Sequence, residues 1–424
     1  MHDLRMIREQ IDVLRDGMRR RGKLDALAPF IDRAAELDGE RRAAIQAVEE
    51  RKAARNAITQ EVARKKRAKE DADDLLVQSR NLGEEITRLE RELSVLEAEL
   101  HNNMLELPNI TLDEVPAGGE EANKQVRAWG EPREARSVKP HWEVGVSLDI
   151  IDFERGAKIS GSGFIVFRGK GARLVRSLMN FMLDLHTSEH GYEEAWVPIL
   201  VNRASMTGTT QLPKFEDDMY AIKDEELFLI PTAEVPVTNL YANEILSEAD
   251  LPKGMTAYTP CFRREAGAHG KDTRGLIRVH EFDKVELVRY AAPETSSEQL
   301  EVLTSHAEKV LQLLGLPYRV VLLAAGDTGF GSAKTYDLEV FAPGAGAWLE
   351  VSSCSVFGDF QARRAGIRYR PGEGGKPRFV HTLNGSGLAF PRIIAAILEH
   401  YQNADGSVTV PEVLRPYLGS DRLG

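Results

Sequence analysis

Leucine and isoleucine recur every three or four positions between residues 82 and 100, and this repeat constrains the fold more than any other feature of the chain. The repeat consists of Leu82, Ile86, Leu89, Leu93, Leu96 and Leu100. A sustained heptad seam is typical of a helix that packs lengthwise against a second helix. The pattern predicts a long helix that ends before Pro108.

A weaker, alanine-rich seam precedes it over residues 29–67. Its apolar members are Ala34, Leu37, Ala44, Val48, Ile58 and Val62, and the arginines that interrupt it are Arg41, Arg51 and Arg55. Polar residues 68–72 separate the two patterns. Two long helices with a short polar connection predict an antiparallel coiled-coil arm.

Positive charge is concentrated near the predicted tip of this arm. Residues 51–70 hold eight basic and two acidic side chains, a local net charge of +6, whereas the whole chain carries −11. Such asymmetry suits an RNA backbone. A solvated coiled-coil tip has the same composition, so charge alone leaves the two interpretations even. The acidic overall balance argues against indiscriminate nucleic-acid binding, and we expect no DNA partner.

Residues 259–286 place arginines and carboxylates on two predicted antiparallel strands. The alternation puts Cys261, Arg263 and Glu265 on one face, and a loop with Gly267, Gly270 and Gly275 leads into a second strand over residues 277–288. Arginine suits phosphate because its planar fork donates two charge-assisted hydrogen bonds. By spacing alone, however, a solvated hairpin with surface ion pairs is the more common arrangement.

The literal order of residues in this segment resembles motif 2 of the class II aminoacyl-tRNA synthetases, in the form found in the seryl-tRNA synthetases. The matching residues are Phe262, Arg263, Arg264 and Glu265, then residues 272–278, then His280 and Phe282. One departure is Glu281, which stands where the family usually has glutamine. We expect it to alter local charge beside the adenine pocket without removing a contact residue.

Two further segments resemble the other motifs of this family. Residues 383–392, interpreted as a glycine-rich turn that delivers Arg392 to a helix start, resemble motif 3. Residues 171–198 resemble motif 1, which builds the dimer interface in the family, and they predict an apolar helix followed by a strand over residues 194–200. The resemblance therefore implies a homodimer.

Two short stretches resemble the amino-acid and metal sites of the seryl-tRNA synthetases. Thr232, Ala233 and Glu234 match the loop that holds the amino acid. A second match, to the strand that faces ATP and magnesium, consists of Glu350, Val351, Ser352 and Ser353. The resemblance implies Mg²⁺ bound with ATP through Glu350 and Ser353, and no structural zinc.

The family assigns roles to these positions. The resemblance implies three catalytic arginines, with Arg263 at the α-phosphate and Arg278 and Arg392 at the distal phosphates. Phe282 would stack on adenine. The full ATP set is Arg263, Arg264, Glu265, Arg278, Val279, Phe282, Glu350, Val351, Ser352, Ser353 and Arg392. The full serine set is Thr232, Ala233, Glu234, Arg263, Glu286, Asn384 and Ser386.

The resemblance covers nearly the whole chain, and it implies a fold and a reaction. We expect an α+β fold with a mostly antiparallel sheet flanked by helices, in a catalytic domain over residues 108–424 that follows an arm domain over residues 1–107. The implied enzyme activates L-serine with ATP and transfers serine to the 3′ end of tRNA(Ser), with a selenocysteine tRNA as a second candidate acceptor. Arm residues expected to bind tRNA are Arg55, Arg64, Lys65, Lys66, Arg67 and Lys69.

Two other classes of function fit the motifs less well. A non-catalytic RNA-binding paralogue is expected to have lost motif arginines or serine-site carboxylates, and an amino acid:carrier-protein ligase is expected to lack the arm. The chain keeps both features.

Cysteine content and hydropathy indicate the cellular location of the protein. Only two cysteines occur, Cys261 and Cys354, so no disulfide framework or cysteine zinc site is indicated. The first ten residues are polar and charged, and no long apolar run occurs, so we expect a cytoplasmic protein without a membrane partner. His186 and His190 match a zinc-peptidase spacing, but we interpret them as part of the motif 1 helix.

Overall fold

A computed structural model describes residues 1–135, 138–266 and 274–424. These residues form two compact units. One comprises Met1–Arg19 and Lys23–Pro108, and the other comprises Arg20–Gly22 and Asn109–Gly424. The first is called the arm unit and the second the catalytic unit. Part of the motif 2 segment, including the predicted loop residues Gly267 and Gly270, lies outside the described residues.

The α-helices of the described residues range from four residues in α13 to 45 residues in α3. In chain order they are α1 (Leu4–Glu9), α2 (Ile11–Arg20), α3 (Leu24–Ala68), α4 (Asp73–Leu105), α5 (His141–Ser147), α6 (Phe153–Ser160), α7 (Lys170–Ser188), α8 (Arg203–Gly208), α9 (Glu234–Thr238), α10 (Ser296–Leu314), α11 (Phe360–Ala365), α12 (Phe390–His400) and α13 (Arg415–Leu418).

The strands are concentrated in the catalytic unit. In chain order they are β1 (Lys124–Trp129), β2 (Ile151–Asp152), β3 (Val166–Phe167), β4 (Glu193–Glu194), β5 (Leu200–Asn202), β6 (Leu227–Leu229), β7 (Ile245–Ser247), β8 (Lys253–Phe262), β9 (Glu281–Ala291), β10 (Tyr318–Leu322), β11 (Lys334–Ala342), β12 (Ala347–Gly358), β13 (Arg368–Arg370), β14 (Arg378–Phe379), β15 (His381–Ala389), β16 (Val408–Thr409) and β17 (Arg422–Leu423).

The predicted coiled-coil arm is confirmed, with α3 and α4 as its two helices. The residues of the two predicted seams, which recur every three or four positions, are buried or half-buried. Most of the positions between them are exposed. Two of the three arginines that interrupt the α3 seam are explained by ion pairs to α4. Arg41 donates to Glu97 at 3.0 Å, and Arg51 donates to Glu85 at 3.0 Å. The chain turns between the helices at Lys69, which has a left-handed φ of 60°.

The catalytic unit is built on an eight-stranded sheet in the order β1-β10-β11-β12-β15-β9-β8-β4. All of its neighbouring strands are antiparallel except β4 and β8, so the predicted mostly antiparallel sheet is confirmed. Helices α7, α10 and α12 contribute the apolar side chains that pack on one face. In β9, Val285 and Leu287 face this core, and the alternate residues Lys284 and Glu286 therefore face the opposite side.

Three local predictions for the catalytic unit were wrong. Strand β8 ends at Phe262, so Glu265 lies beyond the strand with a left-handed φ of 53°. The predicted strand over residues 194–200 is reduced to the end of β4 and the start of β5, because Pro198 supplies no N–H for a ladder. The predicted glycine-rich turn before Arg392 is strand β15, whose glycines lie in the middle of the sheet.

Two β-bulges decide which residues share a face. The pairing of β11 with β12 shifts register and leaves Val351 as an extra residue. Glu350 and Ser353, three positions apart, would lie on opposite faces of a regular strand, yet both line one cavity. A second shift, between β15 and β9, leaves Gly387 extra. Without these bulges, some side chains of the site would point toward the apolar core on the other face of the sheet.

Candidate active site

Two adjoining cavities on the sheet face opposite the helical core gather most of the residues singled out by the motifs. The larger, of about 430 Å³, is lined among others by Thr232, Glu234, Arg263, Glu350, Ser353, Asn384 and Ser386. The smaller, of about 90 Å³, is lined among others by Arg263, Glu265, Arg278, Val279, Phe282, Glu350, Val351, Ser386 and Arg392. Arg263, Glu350 and Ser386 line both, so the cavities meet at these residues.

The remaining predicted residues of the ATP and serine sets do not line these two cavities. They are Ala233, Arg264, Ser352 and Glu286. Ala233 is buried in the apolar core, and the hydroxyl of Ser352 donates to the carbonyl of Ser386 at 2.7 Å. The exposed Arg264 donates to the carbonyl of Asp217 at 3.0 Å. These residues therefore support the walls of the cavities.

A buried polar cluster borders the larger cavity, with Thr232, Lys284 and Asn384 in the cavity lining and Glu286 behind them. Glu286 is only 1% exposed and accepts hydrogen bonds from the hydroxyl of Thr232 at 2.9 Å and the amide of Asn384 at 3.3 Å. Lys284 pairs with Glu286 and also donates to the Thr232 hydroxyl at 2.8 Å. A buried charge is tolerated when it is paired and hydrogen-bonded. The cluster therefore holds fixed donors and acceptors where a small polar substrate would sit.

Glu234 is a second buried carboxylate of this cavity. Burial raises its pKa to about 7, and the nearby carboxylate of Glu286 contributes to the rise. The amide of Gln361 donates to Glu234 at 2.7 Å, and the hydroxyl of Thr382 donates to Gln361 at 2.7 Å. The bond from Gln361 fixes the carboxylate in place. An ammonium group bound beside Glu234 would favour its ionised form, because a nearby positive charge lowers a carboxyl pKa.

Arg263 occupies the junction of the cavities. It donates to the carbonyl of Pro231 at 3.3 Å, and its guanidinium lies 5.1 Å from the centre of the Phe282 ring. Phe282 lies on the same side of β9 as Lys284, whereas Glu281 alternates to the other side and lines neither cavity. The effect of Glu281 on the charge near the adenine pocket stays a prediction, and the side chain lies with Phe282 beside a neighbouring cavity.

The other two motif arginines bracket the smaller cavity. Arg278 forms an ion pair with Glu265. Arg392 lies in the first turn of α12, where it donates to the carbonyl of Ile277 at 3.1 Å and to the carbonyl of Glu350 at 2.6 Å. Three arginines thus lie around one small volume, an arrangement suited to a polyanion.

Oxygen ligands for a hard cation are present beside the arginines. Glu350 and Ser353 line the larger cavity together with Asp337, which pairs with Ser353 across β11 and β12. Burial, followed by the nearby Glu350 carboxylate, raises the pKa of Asp337 well above its usual value. The Oδ1 atom of Asp337 is buried without a hydrogen-bond partner among the described residues. Two carboxylates and a hydroxyl fit the oxygen preference of Mg²⁺.

A histidine outside the cavities holds the part of motif 2 that leads into β9. His141 is fully buried, and its Nδ1 donates to Glu399 at 2.7 Å. Its Nε2 accepts the backbone N–H of Leu276 at 3.0 Å. Glu399 lies on α12, the helix that carries Arg392. Helix α12 therefore holds residues 276 and 277 at two points, through His141 and through Arg392.

Sequence reasoning missed several residues of this site. They are Lys284, Asp337, Gln361, His141 and Glu399. Lys284 could have been found from the period of two that it shares with Phe282 and Glu286. The others have no local signal, because their partners lie on distant segments.

The histidine spacing noted in the sequence gives no converging metal site. His186 is buried at the end of α7, and its Nδ1 lies 2.9 Å from Nδ1 of His190. Burial, followed by the neighbouring His190, lowers the pKa of His186 to about 3. In the described ranges, no group of three or more His, Cys, Asp or Glu side chains is placed to hold a metal ion. No helix in the described part of the chain is long and apolar enough to cross a membrane.

The arm presents a separate candidate surface near its tip. Arg55, Lys66, Arg67 and Lys69 are exposed. Arg64 pairs with Glu61, and Lys65 donates to a backbone carbonyl at 3.2 Å. The opposing residues 71–90 carry six acidic and two basic side chains, a net charge of −4. The local excess of +6 is thus largely offset across the arm.

Comparisons with known proteins identify both units. Residues 1–111 match the family model described as the seryl-tRNA synthetase N-terminal domain. Residues 214–401 match the model described as the tRNA synthetase class II core domain (G, H, P, S and T). Among curated proteins, the serine–tRNA ligase of Gemmatimonas aurantiaca is 66% identical over 420 residues, which covers 99% of both chains. That of Carboxydothermus hydrogenoformans is 53% identical over 425 residues, covering 100% of this chain and 99% of the relative.

Solved structures give the same result at the level of the fold. The seryl-tRNA synthetase of Pyrococcus horikoshii, complexed with ATP, superposes with a TM-score of 0.92 and 38% identity, covering 100% of this chain and 99% of that chain. The prolyl-tRNA synthetase of Giardia lamblia has a TM-score of 0.57 at 18% identity, covering 66% of this chain and 57% of that chain. The second match shows a shared core fold only.

Proposed function

The chain belongs to the seryl-tRNA synthetase family, and we propose that its two adjoining cavities activate L-serine with ATP and then pass serine to the 3′ end of tRNA(Ser). The observation that carries the proposal is the position of Arg263 between the buried cluster around Glu286 and the smaller cavity, which is also lined by Arg278 and Arg392. Such a junction is where an amino-acid carboxylate and an α-phosphate must meet. The enzyme is an aminoacyl-tRNA ligase that consumes ATP.

In the first step, a carboxylate oxygen of serine attacks the α-phosphorus of ATP, and the bond to the bridging oxygen of pyrophosphate breaks. No proton has to move, so positioning and charge stabilisation supply the catalysis. Arg263 stabilises the charge at the α-phosphate, while Arg278 and Arg392 bind the leaving pyrophosphate. Phe282 offers its ring to adenine, and the backbone of Val279 borders the same cavity.

Selection of serine is assigned to the buried cluster. Glu234 binds the substrate ammonium, and Glu286 accepts a hydrogen bond from the substrate hydroxyl, supported by Thr232, Asn384 and the backbone of Ser386. A site built to hydrogen-bond a hydroxyl rejects an analogue without one by about 10,000-fold or more, because its own polar groups are left unpaired.

Mg²⁺ would be held by Glu350 and Ser353, with Asp337 as a further oxygen ligand from β11. When bound with ATP, the ion neutralises phosphate charge. Phosphate oxygens and water would supply its remaining ligands, because Mg²⁺ usually binds proteins through one or two carboxylates. This assignment rests on the donor set, and on the buried Oδ1 of Asp337 that has no hydrogen-bond partner among the described residues.

A homodimer is supported by an exposed apolar strip after α7. Trp196 is 81% exposed, and Ile199 and Leu200 are also exposed. Large exposed apolar patches mark interaction surfaces in soluble proteins. Light scattering is expected to give the mass of a dimer for the wild-type chain and of a monomer for Trp196→Glu. A cytoplasmic location is supported by the two buried free thiols, Cys261 and Cys354.

The test of the activation step is ATP/pyrophosphate exchange without tRNA, with serine, threonine, alanine and glycine as parallel substrates. Exchange with serine is expected, and alanine is expected to fail. Glu286→Gln is expected to narrow the discrimination between serine and alanine. Unchanged discrimination in this variant would remove Glu286 from its role, whereas absence of serine exchange in the wild type would remove the proposed function. Aminoacylation of tRNA(Ser) and of a selenocysteine tRNA then defines the acceptors.

A further inference from the structure

The loop between β10 and β11, residues 323–333, forms one side of the larger cavity. Its cavity-lining members are Leu323, Asp327, Gly329, Phe330, Gly331 and Ser332. The smaller cavity, where Phe282 and Arg392 are proposed to bind ATP, is lined by other segments. The β10–β11 loop therefore borders the proposed serine site, and a shift of this loop would change the shape of the serine cavity first.

A single buried side chain near the start of the chain holds the backbone of this loop. Arg21 is 2% exposed, and each of its five N–H groups donates to a different carbonyl oxygen. Four of these oxygens belong to the loop and one precedes it in the chain: Ala325 at 3.2 Å, Thr328 at 2.9 Å, Gly329 at 3.4 Å, Ser332 at 2.8 Å and Asn109 at 2.7 Å. Arginine is the only side chain that carries five N–H donors in one fixed plane.

The positive charge of Arg21 has carbonyl oxygens as its partners, and no carboxylate among the described residues forms an ion pair with it. Burial lowers the pKa of Arg21 to about 10, which leaves the guanidinium charged at neutral pH. Taking a charged group out of water is costly. The buried location of Arg21 is therefore explained by the loop carbonyls that it binds, and not by an ionic contribution to stability.

Asn109 holds the rest of the loop backbone. Its N–H donates to the carbonyl of Phe330 at 2.9 Å, and its side-chain amide donates to the carbonyl of Gly331 at 2.9 Å. Together with the bonds from Arg21, every carbonyl of residues 328–332 accepts a hydrogen bond. Because a buried carbonyl without a partner is unfavourable, loss of the guanidinium would force the loop to move until water reaches the freed oxygens.

This inference rests on the proposed function. We propose that Arg21 is a positioning residue for serine activation: it fixes the β10–β11 loop as one wall of the serine cavity without touching a substrate. Arg21 directly follows α2, and residues 20–22 belong to the catalytic unit although the residues on either side of them belong to the arm unit. A short N-terminal segment, outside the three motifs recognised in the sequence, thus completes the serine site.

Arg21→Met separates the two substrates of the activation step. Methionine fills much of the same space and removes the buried charge, but it donates no hydrogen bond to the loop. In serine-dependent ATP/pyrophosphate exchange, kcat/KM for serine should fall about 10- to 100-fold, because a misplacement of about 1 Å in a binding site can cost about 100-fold. KM for ATP should stay within about twofold of wild type, since the loop does not line the smaller cavity.

Arg20 provides a matched control at the preceding position. Its guanidinium also donates to backbone carbonyls, but these belong to a segment that lines neither substrate cavity: Thr111, Leu112, Asp113 and Val115. Arg20→Met should lower the melting temperature and keep the constants for serine and ATP within about twofold of wild type. The comparison separates a general loss of backbone hydrogen bonds from a change in the loop at the serine cavity.

Arg21→Lys tests the hydrogen bonds themselves. Lysine keeps the positive charge and carries three donors instead of five, so it can satisfy only some of the carbonyls. Its kcat/KM for serine should therefore lie between those of Arg21→Met and wild type. If Arg21→Met does not fold, Arg21→Lys is compared with wild type in the same way, with a smaller fall for serine and an unchanged KM for ATP.

Each other result overturns the inference. If the folded variants of Arg21 have normal constants for serine, the guanidinium does not set the serine cavity. If the constants for serine and ATP change in parallel, or if Arg20→Met has the same effect as Arg21→Met, Arg21 serves only the fold. A lysine variant no better than methionine removes the role of the donors. Normal serine exchange in the wild type beside any of these results leaves the proposed function intact, whereas its absence removes the proposed function itself.

Discussion

The arm unit and the catalytic unit use charge in opposite ways. In the arm unit, apart from the buried Asp38 that pairs with Arg8, charged side chains mostly lie on exposed helical surfaces. They pair with residues three or four positions away or with the adjacent helix. In the catalytic unit, Glu234 and Glu286 are buried, and besides Lys284 their hydrogen-bond partners come from distant segments. An exposed pair contributes about 0.2–1 kcal/mol, whereas breaking a buried pair is far more costly. We therefore expect substitutions in the catalytic unit to have large effects on activity. Substitutions in the arm should have smaller effects that depend on salt concentration.

The largest effect is expected at the motif arginines. Arg263→Ala or Arg392→Ala should lower the rate of serine-dependent ATP/pyrophosphate exchange about 100- to 1,000-fold, because a well-placed donor to a developing charge is lost. The matched control is Arg422→Ala, which breaks an exposed pair with Asp405 in the same unit. Near-normal exchange in either motif variant, with an unchanged melting temperature, contradicts the assigned mechanism.

Glu234→Gln should have the next largest effect, and its pH dependence is specific. The wild-type kcat/KM for serine should fall as the pH drops below about 7, where Glu234 takes up a proton. The variant should lose about 10- to 150-fold at pH 8, the equivalent of a hydrogen bond to a charged group, and should show a flatter profile.

The same raised pKa of Glu234 has a consequence for stability. The folded protein holds the proton more tightly than the unfolded chain, so this stabilisation is present at low pH and is lost as the pH rises toward 7. Glu234→Gln should therefore melt higher than wild type at pH 8, with a smaller difference at pH 5. If wild type and Glu234→Gln melt at the same temperature at pH 8 and also at pH 5, ionisation of Glu234 does not destabilise the folded protein.

His141 should give an intermediate effect confined to ATP. His141→Ala removes the acceptor for the N–H of Leu276. The segment of motif 2 that leads into β9 then keeps only one of its two contacts to α12, the hydrogen bond from Arg392. We expect KM for ATP to rise about 10-fold while KM for serine stays within twofold, since a lost buried hydrogen bond is worth about 1–3 kcal/mol. His141→Gln, which retains an acceptor, should recover part of the loss. A parallel rise in both KM values would show a general structural role.

A smaller effect is expected at the arm. Changing Lys65, Lys66 and Arg67 together to Ala should weaken tRNA binding about 10-fold at moderate salt and reduce the salt slope by about 0.7–0.9 per lost phosphate contact. Exchange without tRNA should not change. If affinity and slope stay at wild-type values in a filter-binding assay over several salt concentrations, these residues do not contact tRNA.

The smallest effect is expected for ion pairs along the arm. A double-mutant cycle on Arg51 and Glu85, joined at 3.0 Å, should give a coupling energy of about 0.2–1 kcal/mol. Chemical denaturation measures it. A coupling of several kcal/mol would remove the contrast between the two units.

The sequence predicted best where structure depends on near neighbours. The leucine repeat placed α4, because residues three and four positions apart share one face of a helix whatever else the chain does. Motif resemblance supplied the identities of most cavity residues, including Arg263, Arg278 and Arg392. The position of Glu281 on the other side of β9 from Phe282 follows from simple alternation along the strand.

Other features of the site were decided by tertiary structure. The bulge at Val351 sets Glu350 and Ser353 on one face, and strand pairing places Asp337 beside them. The support of Leu276 by His141 depends on contacts across 135 positions of sequence.

The sequence by itself determined the helical arm and the chemical groups available to the site, because periodicity and residue type are local properties. Tertiary structure decided which carboxylates are buried, which arginines share a cavity and which aromatic rings face it. Those properties depend on the register between strands that are distant in the chain, and a shift of one residue in that register exchanges the two faces of a sheet.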